Sequence, residues 1–385
     1  MTLANRLHGI PPTIFTEISA LAVRTGAINL GQGFPDEDGP TSVLEAADRA
    51  LREGANQYPP SPGIPVLREA IARHQARTYG IDLDPMSQVV VTSGATEAIA
   101  SAILGLINPG EEVLVLEPYY DSYAATIQIA GGVRRTVPLR APDFRLDASE
   151  IAAAITSRTK AILLNTPHNP TGTVLTTGEL LAIRDLAVER NLIVISDEVY
   201  EHLTYGTPHT PIATLPGMAE RTLTISSLGK SYSLTGWKVG WATGPQDLVA
   251  ATLAAKQWLT FTTASPLQHA AAYALDHEPD WPHLLRAQLQ CKRDRLVSGL
   301  NGLGIATSSP QGTYFAVSDM RALGWVDGDA FARTLPARAG VACIPLKGFH
   351  DSCAGDTLVR WAFCKKNDVI DGALERLAKA DLSAV

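Results

Sequence analysis

Short apolar runs bounded by Gly, Pro and Asn recur between residues 88 and 242 and alternate with longer amphipathic segments. The runs predict seven strands, at residues 88–92, 112–116, 133–139, 161–164, 192–196, 223–225 and 239–242. The amphipathic segments predict helices at residues 42–53, 67–79, 97–107, 123–130, 151–155 and 177–190. Continuously apolar strands separated by helices are typical of a parallel sheet buried on both faces. The pattern therefore predicts an α/β fold with a seven-stranded, mainly parallel sheet.

The pattern changes after Pro266, where a long helical stretch at 283–303 precedes candidate strands at 312–317 and 358–363. This part predicts a smaller α+β domain. A chain of 385 residues is too long for one core of ordinary size, so more than one domain is expected. We predict an N-terminal arm of residues 1–40 packing with the small domain, a large domain of residues 41–280, and a small C-terminal domain of residues 281–385.

Composition narrows the class of protein. The chain has 32 Lys and Arg against 39 Asp and Glu, a net charge of −7, which gives no electrostatic basis for binding nucleic acid or an anionic membrane. Its four cysteines show no metal-ligand spacing and suit reduced thiols. No signal-peptide pattern is present, and no apolar run approaches the ~18 residues of a membrane span. We expect a cytoplasmic protein without a metal site.

Several turns that follow predicted strands are polar, and each has a structural as well as a functional interpretation. Gly94, Ala95 and Thr96 open a helix whose free N–H groups suit an anion, although a plain helix cap fits the same residues. Asn169 lies in a loop that two prolines make rigid. Asp197 ends an apolar strand and needs a cationic partner if it is buried; a solvated carboxylate is the alternative.

Lys230 follows the predicted strand at 223–225, among hydroxyls and glycines. Open α/β sheets place their ligand crevices at such strand ends. A lysine shielded from water can lose its proton and attack carbonyl groups. Ser227 and Lys238 stand close enough in sequence to share a phosphate. We therefore predict that Lys230 holds pyridoxal phosphate (PLP) as a Schiff base. Because a single lysine usually lies on the surface, this hypothesis depends on the whole set of residues.

Together these residues resemble the class I/II aminotransferases of fold type I, and the resemblance covers nearly the whole chain. Its most specific motifs are NPTG at 169–172, DEVY at 197–200, and the segment from Lys230 to GWKVG at 236–240. The resemblance implies a three-layer α/β large domain that binds PLP, a smaller α+β domain, and a homodimer. It also implies amino-acid and 2-oxo-acid substrates.

The resemblance further implies a role for each matching residue. Lys230 would be the Schiff-base lysine and the general base for a 1,3-proton shift. Asp197 would pair with the pyridine nitrogen, Asn169 and Tyr200 would hydrogen-bond the ring 3-oxygen, and Tyr120 would stack on the ring. The phosphate would be held by Gly94, Ala95, Thr96, Ser227, Lys238 and, from the second subunit, Tyr58. The substrate would be bound by Arg360 through its α-carboxylate, by Asn169, and by the backbone of Gly33.

Segments 29–40 and 56–60 are similar to those of kynurenine and glutamine transaminases and of actinobacterial enzymes assigned as N-succinyldiaminopimelate aminotransferases. The expected reaction is transamination of N-succinyl-L,L-diaminopimelate with 2-oxoglutarate, in lysine and diaminopimelate biosynthesis. A kynurenine-, glutamine- or methionine-type aminotransferase is the alternative. A PLP-dependent C–S β-lyase and a non-catalytic regulator domain are less favoured, the latter because the proline-broken arm leaves no room for a helix-turn-helix. Substrate selectivity is expected to depend on residues 14–18, 119–123 and 258–263.

Overall fold

The computed structural model of the protein describes residues 3–10 and 12–384. Its strands are β1 (Ile28–Asn29), β2 (Val89–Thr92), β3 (Glu112–Glu117), β4 (Val133–Pro138), β5 (Thr159–Asn165), β6 (Ile193–Asp197), β7 (Thr222–Ser227), β8 (Gly240–Thr243), β9 (Ala306–Thr307), β10 (Phe315–Asp319), β11 (Val341–Ala342), β12 (Ile344–Pro345) and β13 (Leu358–Ala362). Its α-helices are α1 (Ile14–Thr25), α2 (Thr41–Arg52), α3 (Pro65–Tyr79), α4 (Gly94–Leu106), α5 (Asp121–Ile129), α6 (Ala148–Ala154), α7 (Thr177–Glu189), α8 (Leu228–Ser231), α9 (Gln246–Lys256), α10 (Ser265–His277), α11 (Trp281–Gly302), α12 (Gly328–Ala339) and α13 (Asn367–Ala378).

Strands β2 to β8 form the predicted seven-stranded sheet, in the order β2-β8-β7-β6-β5-β3-β4. The pairs from β7 through β6, β5 and β3 to β4 are parallel, whereas β8 runs antiparallel to both β2 and β7. All seven predicted strands are present, and so are the six helices predicted between residues 42 and 190. The observed bounds differ from the predicted ones by at most three residues. The fold class predicted from the sequence is confirmed.

The two faces of this sheet are covered by different helices. Leu114 and Ile162 belong to a buried cluster with α6 and α7, whereas their neighbours Val113 and Leu163 belong to a cluster with α4, α5 and α9. Because successive side chains of a strand point to opposite faces, a sheet covered on both sides needs apolar residues at every position. This requirement explains the continuous apolar runs in the sequence.

The last part of the chain forms a second, antiparallel sheet in the order β12-β13-β10-β9, and β1 pairs in parallel with β11. The observed β10 begins at Phe315, later than predicted, because Thr313 has a left-handed φ of 64° that interrupts extended backbone. The alanine-rich sequences of α9 and α10 blur the apolar period and are not predicted as helices. The domain boundary near residue 280 stays a prediction.

Within residues 3–10 and 12–384, no helix is long and apolar enough to cross a bilayer.

Candidate active site

Polar residues at the carboxyl ends of neighbouring strands meet at one edge of the large sheet. Strand β6 ends at Asp197, and β7 leads directly into the short helix α8, which carries Lys230. They line a cavity of about 310 Å³, the inner cavity. The site residues predicted from the sequence that line it are Gly33, Gly94, Ala95, Thr96, Tyr120, Asn169, Asp197, Tyr200, Ser227, Lys230, Lys238 and Arg360.

Tyr58 is the predicted site residue that does not line the inner cavity. Its side chain is 86% exposed and packs edge-on against Phe261, with 5.9 Å between ring centroids. A tyrosine this exposed is available to another subunit but not to the cavity of its own chain. The expected contribution of Tyr58 across an interface stays a prediction.

Lys230 is partly buried between two tyrosine rings. Its Nζ donates a hydrogen bond of 2.9 Å to the hydroxyl of Tyr314, which in turn donates one of 2.7 Å to the carbonyl of Gly33. Burial disfavours the charged amine and lowers the pKa of Lys230 to about 8. A substantial fraction of this lysine is therefore neutral near physiological pH and able to act as a nucleophile.

Asp197 is a buried carboxylate that faces the same cavity. Its Oδ2 accepts a hydrogen bond of 2.5 Å from the hydroxyl of Tyr123, and its main-chain carbonyl accepts one of 2.9 Å from Asn165. Burial raises the pKa of Asp197 to about 6, opposed by the hydrogen bond from Tyr123. A positively charged ring nitrogen would give this carboxylate the cationic partner that a buried charge needs.

Arg360, on β13, is buried at the opposite side of the cavity. Its Nη1 donates a hydrogen bond of 3.0 Å to Oδ1 of Asn169, and its Nη2 donates one of 2.8 Å to the carbonyl of Gly31. Its guanidinium lies 3.9 Å from the ring centroid of Phe315 and 4.9 Å from that of Phe15. Burial lowers the pKa of Arg360 to about 10, so it stays charged at neutral pH. Its buried Nε has no hydrogen-bond partner among the described residues, which leaves a donor for a carboxylate.

The remaining end of the cavity suits a phosphate. Gly94 is the first residue of the thirteen-residue helix α4 and has φ of 78°. A Cβ at this position would lie 3.2 Å from Nζ of Lys238, so the absence of a side chain keeps the space in front of the helix open. The free N–H groups of the helix, the Lys238 ammonium and the nearby Ser227 hydroxyl together favour an anion.

These observations match the three parts of PLP. The space between Gly94 and Lys238, which we call the phosphate cradle, suits its phosphate. The buried carboxylate of Asp197 suits its pyridinium nitrogen, and the amine of Lys230 suits its aldehyde. The orphaned Nε of Arg360 is left for the carboxylate of an amino acid. The residues present therefore fit this cofactor together with a substrate.

Comparison with known proteins identifies the family. A model of the family aminotransferase class I and II matches residues 25–377. The chain belongs to the class I and II aminotransferases. It is a PLP-dependent enzyme that transfers amino groups.

Two relatives and one solved structure match this aminotransferase over almost its whole length. A Mycobacterium tuberculosis protein named "Probable N-succinyldiaminopimelate aminotransferase" is 51% identical over 97% of both chains. The methionine aminotransferase of Escherichia coli is 41% identical over 97% of both chains. The solved structure of N-succinyldiaminopimelate aminotransferase from M. tuberculosis superposes with a TM-score of 0.96 at 51% identity, over 98% of this chain and 99% of that one.

Several residues of the aminotransferase site are missed by sequence reasoning. Tyr314 and Phe315 contact Lys230 and Arg360, but the apolar pattern at 312–317 gives both an ordinary place in a core. Phe15 and Tyr123 lie in segments 14–18 and 119–123, which are expected to influence selectivity, but their contacts with Arg360 and Asp197 are not predicted. The one signal in the sequence is Gly33. A Cβ there would lie 2.4 Å from the ring of Phe315, so a glycine at this turn indicates close packing.

Proposed function

We propose that this aminotransferase transfers the amino group of N-succinyl-L,L-diaminopimelate to 2-oxoglutarate. The observation that carries the proposal is the 51% identity, over 97% of both chains, to the M. tuberculosis relative of that name. The segments around residues 29–40 and 56–60, which resemble the same group of enzymes, support it. The product would be a 2-oxo acid that keeps the succinylated end of the substrate.

The cofactor is proposed to be held by residues from several strand ends. Lys238, Ser227 and the start of α4 at Gly94, Ala95 and Thr96 bind the phosphate, and Tyr120 stacks on the ring. Asp197 would face the ring nitrogen, and its negative charge would keep that nitrogen protonated. Oδ1 of Asn169 is engaged by Arg360, so its Nδ2 is the group left to donate to the ring 3-oxygen, beside the hydroxyl of Tyr200.

When bound, PLP supplies an aldehyde that accepts the amino group and a ring that withdraws electrons from the reacting carbon. Arg360 binds the α-carboxylate of the substrate through its free donors and thereby fixes the position of the α-carbon. Lys230 anchors the cofactor between turnovers. Once displaced, its neutral amine would take the proton from the α-carbon and deliver it to the former aldehyde carbon of the cofactor, because its lowered pKa leaves it free to act as a base near neutral pH.

The main alternative is an aminotransferase for methionine, kynurenine or glutamine. The 41% identity to the E. coli methionine aminotransferase supports this class. The residues discussed so far do not distinguish it from the first proposal, because they act on the α-carboxylate and α-amino groups that all amino acids share. A C–S β-lyase, which would expel a leaving group on the same scaffold, is the less favoured alternative. A non-catalytic regulator is excluded by membership of the enzyme family.

We further propose that the enzyme is a cytoplasmic homodimer in which Tyr58 reaches the phosphate of the partner subunit. The exposure of Tyr58, Trp258 and Phe261 supports an interface on this side, since large apolar side chains seldom stay in water in groups. The four free cysteines support a reducing compartment.

The experiment is a screen of half-reactions on the PLP-loaded enzyme. Loss of the visible cofactor band is followed with N-succinyl-L,L-diaminopimelate, methionine, kynurenine, glutamine and aspartate. We expect N-succinyl-L,L-diaminopimelate to have the highest kcat/KM, by about tenfold or more. A higher value for methionine or kynurenine would overturn the proposed substrate. Pyruvate and thiol released from cystathionine without an amino acceptor would instead indicate a β-lyase.

A further inference from the structure

A second, larger cavity adjoins the inner one. It has a volume of about 720 Å³, and Phe15 and Tyr120 line both spaces. We call it the outer chamber. Apart from Tyr120, none of its lining residues belongs to the proposed cofactor site. The inner cavity, at about 310 Å³, has to hold the cofactor and the reacting end of the substrate. A substrate with a long side chain therefore extends into the outer chamber.

Of the three cations that line the outer chamber in the described part of the chain, Arg134 and Lys347 have no more than one close carboxylate each. Arg134 lies 4.9 Å over the ring of Tyr119 and binds Asp351 through Nε and Nη2, while its Nη1 has no hydrogen-bond partner among the described residues. Lys347 is half-exposed, and its Nζ lies 3.6 Å from Asp327, beyond the usual hydrogen-bond distance. Both therefore keep donors for a further carboxylate.

The acidic residues that line the outer chamber already accept hydrogen bonds from neighbouring side chains. Arg333 binds Asp329 at 2.7 Å through Nε and Glu17 at 3.1 Å through Nη2. Asp121 accepts a hydrogen bond of 2.7 Å from the hydroxyl of Thr13. Each acidic residue that lines the chamber therefore already has a partner. Arg333 also keeps an Nη1 without a hydrogen-bond partner among the described residues, but two carboxylates balance its charge, whereas Arg134 has one and Lys347 has one at 3.6 Å.

We propose that Arg134 and Lys347 bind the distal carboxylate of an acidic substrate arm in the outer chamber. This inference deepens the proposed function, on which it rests, because the carbon skeleton of diaminopimelate carries a carboxylate at each end. Arg360 takes the carboxylate beside the reacting carbon, and the outer chamber takes the one at the far end. A guanidinium and an ammonium that line one chamber select for charge, which a neutral side chain such as that of methionine does not offer.

The test compares two ligands of equal length on the PLP-loaded enzyme by titration calorimetry. Heptanedioate and heptanoate each have one carboxylate for Arg360, and heptanedioate alone has a second one at the far end. We expect the wild type to bind heptanedioate about tenfold more tightly than heptanoate. Arg134→Gln and Lys347→Gln should each reduce this ratio, and the double variant should bring it to about two, the statistical advantage of an acid with two equivalent ends. Arg140→Gln, an exposed arginine paired with Glu150 away from the chamber, should keep the wild-type ratio.

Two results would overturn the proposal: equal affinity of the wild type for the two acids, or an affinity ratio in the double variant that equals that of the wild type. Either would show that the outer chamber does not bind the distal carboxylate. If Arg134→Gln fails to load PLP, the result with Lys347→Gln still tests the proposal. Among the described residues, Lys347 has one close acidic neighbour, Asp327 at 3.6 Å, so its loss should not disturb the fold. A failure of the proposed function gives a different result: the enzyme would show no half-reaction with N-succinyl-L,L-diaminopimelate but would still bind heptanedioate more tightly than heptanoate.

Discussion

The hydroxyl of Tyr123 donates a hydrogen bond of 2.5 Å to Oδ2 of Asp197, and both side chains are buried. This contact joins the helix after β3 to the end of β6. A hydrogen bond to an ionised carboxylate stabilises the charged form and lowers its pKa. Tyr123 therefore keeps Asp197 ionised against the effect of burial, which raises its pKa to about 6.

Tyr123→Phe should raise the pKa of Asp197 and make cofactor binding more sensitive to acid. Only the ionised carboxylate pairs with a protonated ring. As pH decreases, the variant should therefore lose its affinity for PLP at a pH about one unit higher than the wild type does. Fluorescence titration with PLP at a series of pH values measures this. The phosphate of PLP titrates equally in both proteins, so the difference reports on Asp197. Tyr205→Phe, which removes a buried hydroxyl from the carbonyl of Thr313, should leave the pH dependence unchanged.

Loading of PLP should become faster as pH rises through about 8, the lowered pKa of Lys230, and then level off. The reason is that only the neutral amine attacks an aldehyde. Stopped-flow growth of the visible cofactor band measures the rate. Tyr314→Phe removes the acceptor of the hydrogen bond from Lys230, which disfavours the charged amine, so the midpoint should move to lower pH. A rate that keeps rising well above pH 9 would contradict the lowered pKa, since about 10.4 is ordinary for lysine.

Gly94→Ala should weaken the binding of PLP by about tenfold or more, because a Cβ enters the phosphate cradle beside Lys238 and φ of 78° is unfavourable for alanine. Gly206→Ala is a matched control, with φ of 79° and no atom within 4 Å of the added Cβ. Both variants should lose about 1 kcal/mol of unfolding free energy from backbone strain. Equal PLP affinities in the two variants would show that the cradle is not the phosphate site.

Mixing two inactive variants tests whether Tyr58 acts across an interface. Tyr58→Ala and Lys230→Ala homodimers should each have little activity. Subunit exchange would then form hybrids in which one site combines Lys230 from one chain with Tyr58 from the other, and about a quarter of the wild-type activity should return at equal amounts. No recovery, despite hybrid formation seen by native mass spectrometry, would place Tyr58 outside the partner's site.

The sequence predicts the sheet and most of the candidate site for a common physical reason. Parallel strands buried on both faces have to be apolar, so the polar residues that follow them stand out, and their ends meet at one edge of the sheet. Asn169, Asp197 and Lys230 are found in this way, and all three line the inner cavity. Arg360 and Gly33 are found by their resemblance to family motifs.

Contacts between elements are what the sequence does not predict. The partnership of Tyr123 with Asp197 depends on how a helix packs over the sheet, and the sandwich of Phe15 and Phe315 around Arg360 depends on the path of the arm. Apolar periodicity predicts that such side chains are buried, but it does not identify their neighbours. The outer chamber is predicted only in part. Segments 14–18 and 119–123, expected from the sequence to influence selectivity, do line it, but the sequence does not show that Arg134, α12 and the segment at 347–349 join them.

The hydrogen bonds of Arg360 set an order of events during synthesis of the chain. Its partners Asn169 and Gly31 precede it by 191 and 329 residues, so both have left the ribosome long before the arginine is added. Domains generally fold as units while the chain emerges. A growing chain can therefore complete the sheet and the phosphate cradle, and hold the vitamin-derived cofactor, before it can recognise any amino acid. Nascent chains stalled ahead of residue 360 should carry cofactor without being able to turn over substrate.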